Sequence, residues 1–126
     1  MQENTDENVL SLYEVIRDRD GRKHRVYSAR FKDLQTITSF TERYNADGFG
    51  YYMLAPVLDE DGNVEHKSDG SINYDNGFLD DLFEIVELAL DHRESREQIE
   101  AWLDIELARQ IVVTFLGLSS FKKKRT

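Results

Sequence analysis

The stretch from Ser95 to Leu118 constrains this chain most, because two helix starts there lead into a helix with almost no polar face. Ser95, with Gln98 three residues on, has the pattern of a capping box, in which each side chain satisfies the other residue's free amide. That pattern predicts a short helix through Trp102. Asp104 is a second N-cap, opening a helix that Gly117 would close as the residue just past its end. Glu106, Arg109 and Gln110 give the first half of this helix a polar face, whereas Ile111 to Leu116 is apolar nearly all round. A helix of that kind has to be buried, in its own core or against a partner.

Upstream, Leu79, Leu82, Phe83, Val86, Ala89 and Leu90 follow the spacing of a core-facing helical stripe. The first half of the chain reads differently. Residues 9–17 and 24–30 alternate in polarity, and Asp20-Gly21 lies between them, which predicts a β-hairpin because that turn needs a residue with positive φ. Leu34, Ile37, Phe40 and Tyr44 return to helical spacing, and Asp47-Gly48 ends the pattern. Residues 49–57 have strand composition, with Pro56 confining that strand to an edge or an end. Asp61-Gly62 and Asp69-Gly70 punctuate residues 58–77, which read as a mobile polar loop or loose hairpin. Residues 1–8 are polar and expected to fray, and 119–126 form a basic tail. There is no evident internal repeat and no domain linker. The fold class predicted is α+β: one domain over 1–126, with an amino-terminal hairpin or small antiparallel sheet packed on a helical carboxy-terminal half of three to four helices.

At 126 residues and 40% apolar, the chain can bury a core unaided. No run approaches the ~18 apolar residues of a membrane span, so no membrane association is expected. The start is acidic where an export signal would be basic. With no cysteine, disulfides and thiolate metal sites are excluded, and a cytoplasmic protein is predicted. Lys122, Lys123, Lys124 and Arg125 carry four positive charges, so against a net charge of −9 the rest of the chain stands at −13. Between Asp75 and Glu106, eleven acidic side chains oppose only Arg93 and Arg96. Such a surface repels nucleic acid and favours solubility or a basic protein partner.

Catalytic and metal-binding patterns are missing. Asp80, Glu84, Glu87 and Asp91 share a helical face, but no His follows a Glu by three as carboxylate-bundle metal sites require, so the face reads as solvated. Residues 59–63 resemble the middle of a calcium loop; aligned on Gly62, positions 1 and 12 fall on Val57 and Ser68, which makes a turn the better reading. There is no nucleophile elbow, no His-Glu-x-x-His and no glycine-rich phosphate loop. His24, His66 and His92 read as ordinary surface histidines. The expectation is a non-enzymatic protein without cofactor or metal. Trp102, Phe115, Leu118 and Phe121 are the candidate partner-binding residues, since large aromatics anchor protein contacts, with completion of the domain's own core as the alternative.

The helix from Leu82 to Leu90, the Ser95–Asp104 segment, the final apolar helix and the Gly117–Lys124 ending together resemble the tail assembly chaperones of long-tailed, siphovirus-type bacteriophages. The hairpin followed by Phe31 to Leu34 is also similar to that family's usual opening. The resemblance implies binding to the tape-measure protein, tail-tube subunits or both during assembly, in the host cytoplasm; the apolar final helix and its aromatics by themselves suggest a homo-oligomer or a protein partner. The covering face would include Trp102, Phe115 and Leu118. It also implies that Lys122 to Lys124 could be encoded by a slippery run at which a −1 frameshift yields a longer product. Two other functions fit the same residues: a structural virion protein (a tail-completion or head–tail connector subunit), and an acidic adaptor or inhibitor of a basic protein.

Overall fold

The computed structural model describes residues 13–119. Strand β1 (Tyr13–Arg17) pairs antiparallel with β2 (Lys23–Tyr27), Ile16 opposite His24 and Glu14 opposite Val26. Between them Gly21 takes φ +86°, as the Asp-Gly turn requires, and the Asp18 and Arg22 backbones close the loop at 2.9 Å. The expected strand residues before Tyr13 lie outside the described part. A 3-10 turn (Phe31–Asp33) leads into α1 (Leu34–Arg43), which buries Ile37 and Phe40, as their spacing predicted.

Residues 49–54 depart from expectation. After a 3-10 turn (Ala46–Gly48) they form α2 (Phe49–Leu54), not a strand. The reason is tertiary. Phe49 and Tyr52, three apart and so on one helical side, both pack on Phe78, with ring centroids 5.4 and 5.3 Å away, while Tyr51 is left 73% exposed. Ala55 is extended, as the residue before a proline prefers to be, and ends the helix.

Residues 57–73 form a small hydrogen-bonded unit. The Val57 carbonyl accepts from the Glu65 amide (2.9 Å), the Glu65 carbonyl from Asn73 (2.9 Å), and the Asn73 carbonyl from Val57 (2.8 Å), closing a ring of three segments. Two alike turns connect them. Gly62 and Gly70 have φ +84° and +91°, and each donates its amide to the carbonyl three residues back. Behind this is an eight-residue repeat missed in the sequence: Val57–Val64 and Glu65–Ile72 match at Asp61-Gly62 and Asp69-Gly70 and at the apolar end residue. The Asp59 carboxylate caps its turn through the Asp61 and Asn63 amides, just as Asp18 caps the hairpin turn through Asp20 and Arg22.

Helix α3 (Phe78–Ala89) begins after Gly77 at φ +85°. Asn76 accepts from the Phe78 amide and donates to the Tyr52 and Ala55 carbonyls, thereby joining the start of α3 to the end of α2. The buried stripe differs by one place from the expected one. Phe78 turns inward and Leu79 is left 45% exposed, with Leu82, Phe83, Val86, Ala89 and Leu90 buried as predicted. The capping box opens α4 (Arg96–Glu100), and the Asp104 carboxylate accepts from the Leu107 amide at the start of α5 (Ile105–Leu118). Gly117 does not close α5. The helix runs on to Leu118, and Ser119 ends it, its hydroxyl donating to the Phe115 carbonyl and accepting the Ala29 amide. The apolar run of α5 packs inward through Ile111, Val112 and Phe115, leaving Val113 exposed. The chain's own core thus accounts for most of that run. The fold is α+β, with five α-helices among the described residues, and no described helix is long and apolar enough to cross a membrane.

Candidate protein-interaction surface

Two of the side chains expected to anchor a partner, Trp102 and Phe115, are buried. Phe115 is fully buried and Trp102 nearly so, each within the central apolar cluster; Leu118 is half-buried against that cluster, and Phe121 lies outside the described residues. Their size and helical spacing served the core.

Trp102 does have a polar role, shared with a histidine read from sequence as an ordinary surface residue. His24 is 7% exposed. Its Nδ1 stands 2.8 Å from Glu94 Oε2 and its Nε2 2.8 Å from Asp18 Oδ2. The ring stacks on Trp102 at 3.7 Å between centroids, and Trp102 Nε1–H donates to Glu94 Oε1 at 2.8 Å. The His24 bond, with the amides of Arg22 and Asp20, holds the Asp18 carboxyl below its ordinary value of 3.8. Asp18 Oδ1 accepts from the Asp20 and Arg22 amides and Glu94 Oε1 from Trp102, while the other two carboxylate oxygens face the two ring nitrogens of His24, so the cluster acts as a joint fastening the hairpin to the α3–α4 connection. His66 and His92 are exposed, as expected. Among the described residues no group of three His, Cys, Asp or Glu side chains could hold a metal ion.

A different face carries exposed apolar residues. Where the start of α3 meets α2 and the ring of residues 57–73, there is a recess of about 210 Å³. Phe78 contributes to its lining, along with Met53, Tyr74 and Leu79, all three exposed. Small-molecule sites typically occupy about 300–1,000 Å³, so the recess is scaled for a single side chain. Elsewhere on these segments, Leu54 is 74% exposed and Leu58 56%, and Leu58 pairs with Val64 across the first turn.

The recess lining holds one lysine, Lys67, and one carboxylate, Asp75, while the sequence from Asp59 to Asp81 carries eight carboxylates. Bonds from the Ser71 hydroxyl and amide hold Asp69 below its ordinary value. Asp80, next to Leu79, pairs with Arg96 at 2.7 Å. Apolar walls of this size suit an apolar or aromatic side chain. Three sequence signals mark this surface: the repeated Asp-Gly turns, Asn76-Gly77 before α3, and the Phe49/Tyr52 spacing. Each was legible only as a turn or a strand until the fold placed them side by side.

The chain matches no family model, no curated protein and no solved structure.

Proposed function

We propose that this chain is a non-enzymatic assembly chaperone of the long-tailed-phage type. It would cover apolar surface on the tape-measure protein, on tail-tube subunits, or on both, in the host cytoplasm. The observation that supports this reading is the exposed apolar recess formed by Met53, Tyr74 and Leu79 on an acidic chain. A chaperone has to shield apolar segments while the complex stays in solution, and a recess for one side chain on a chain of net charge −9 answers both needs. The site differs from the one expected: α2, the start of α3 and the ring at 57–73 take the place of Trp102, Phe115 and Leu118. The test is co-expression with the product of the next gene downstream, scored for that product's solubility. Rescue of a tape-measure-like product supports the proposal, and failure to rescue it contradicts the proposal.

A second reading, an adaptor that binds a basic protein, draws on the same eight carboxylates. The two differ in salt dependence. Exposed charge contacts are largely screened at about 1 M salt, whereas a side chain seated in an apolar recess persists.

A further inference from the structure

We propose that Asn76 is a self-modification site: attack by the Gly77 backbone nitrogen converts its side-chain amide to a carboxylate, and the change unfastens α2 from α3. This holds whether or not the chain is a chaperone.

Asn76 is the one asparagine in the chain followed by glycine; Asn45, Asn63 and Asn73 precede Ala46, Val64 and Tyr74. Asparagine is a thermally labile residue, and its reaction is fast only where the next backbone amide can reach the side chain. Glycine has no Cβ to block that approach. Among the described residues the Gly77 amide has no hydrogen-bond acceptor, whereas the Asn76 and Phe78 amides on either side are both bonded. Nothing lies within 4 Å of where a Gly77 Cβ would stand, and Asn76 is exposed, so water reaches the site.

The chemistry is self-contained. The Gly77 nitrogen attacks Asn76 Cγ and closes a succinimide ring; the Cγ–Nδ2 bond breaks, and Nδ2 leaves as ammonia with the proton given up by Gly77. Water then adds to one of the two ring carbonyls. Opening at Cγ gives aspartate on an ordinary backbone. Opening at the main-chain carbonyl gives isoaspartate, whose backbone runs through Cγ and is longer by one carbon.

The fold sets both the rate and the consequence. Asn76 Oδ1 accepts from the Phe78 amide at 2.9 Å, and Nδ2 donates to the Tyr52 carbonyl at 2.9 Å and the Ala55 carbonyl at 2.8 Å. The side chain must leave these bonds before Gly77 can attack it, so the folded chain reacts only through local opening and more slowly than the unfolded chain. Both carbonyls lie at the end of α2, where a helix runs out of amides of its own. Either product removes their donor and sets a carboxylate against them. Isoaspartate also lengthens the backbone just before Gly77, whose φ of +85° opens α3.

The test is to age the full-length wild type in mildly alkaline buffer, folded and in urea, and to map its peptides by a method that separates aspartate from isoaspartate. Both products should accumulate at position 76 while Asn45, Asn63 and Asn73 stay amides, and conversion should be faster in urea. Conversion at 76 no faster than at the other three overturns the site. Equal rates in the folded and urea-unfolded chains overturn the hold of the side-chain bonds. Ion exchange then separates the aged folded protein from the unaged, and amide exchange is compared at Ala55, which donates to the Tyr52 carbonyl. Loss of two hydrogen bonds should speed that exchange about tenfold, and Asn76→Asp should behave as the ordinary-backbone product does. Unchanged exchange in the aged protein overturns the unfastening, whether or not the variant folds.

Discussion

His24 lies face to face on Trp102, with ring centroids 3.7 Å apart and planes 21° from parallel, and the two rings share the carboxylate of Glu94. One residue comes from the hairpin and the other from the turn after α4, so the stack and its carboxylate join the two parts of the fold.

Trp102→Phe should retain most of the stacking and leave Glu94 Oε1 without its donor. The expected loss is about 1–3 kcal/mol, the range for a polar atom deprived of its partner. Trp102→Ala should cost about 3–5 kcal/mol, because it opens a cavity as well. Urea unfolding at unchanged m-value measures both. If the two variants are equally destabilised, the hydrogen bond contributes as much as the whole ring and the packing account fails.

Asp18 predicts the acid limb of stability. Its folded value is depressed, first by the His24 bond and then by the Arg22 and Asp20 amides. A depressed carboxylate stabilises fully above its unfolded value, near 3.8, and that contribution is lost as pH falls through the lower folded value. The melting temperature of the wild type should therefore fall steeply below about pH 4. Asp18→Asn should be less stable at neutral pH and flatter in acid. Equal acid slopes for the two proteins would remove Asp18 from the account.

The ring of residues 57, 65 and 73 predicts a pattern of amide exchange. The Val57, Glu65 and Asn73 amides donate within the ring and should exchange more slowly than Glu60, for which the structure gives no backbone acceptor. Gly62→Ala forces a side chain into φ +84°, at a cost of about 1–2 kcal/mol, and should speed exchange at Glu65. Uniformly fast exchange across 57–73 would refute the ring.

These elements also show what a sequence makes legible. The hairpin turn, the Ser95–Gln98 box and the Asp104 cap depend on residues within five positions of one another, and each could be read directly. Helix α2 could not, because aromatic packing on Phe78, almost thirty residues later, overrides its strand-like composition. The His24 cluster brings together Asp18, Glu94 and Trp102 from distant parts of the chain, and no local pattern announces it. The chain bends before Glu94 through consecutive left-handed residues, Asp91 and His92, neither of them a glycine that would have signalled it. Leu79 reached the surface because Phe78, one position earlier, filled the core; a shift of one residue separated a core stripe from a candidate interface.

The central claim is that this protein covers a partner through the recess at Met53, Tyr74 and Leu79. Its most direct test is co-expression of the downstream tape-measure-like product with the wild type and, separately, with a folded Leu79→Asp variant, measuring the product's soluble fraction. The account predicts a soluble product with the wild type and a pelleted one with the variant. Equal solubility with both, or a pellet with both, would contradict it.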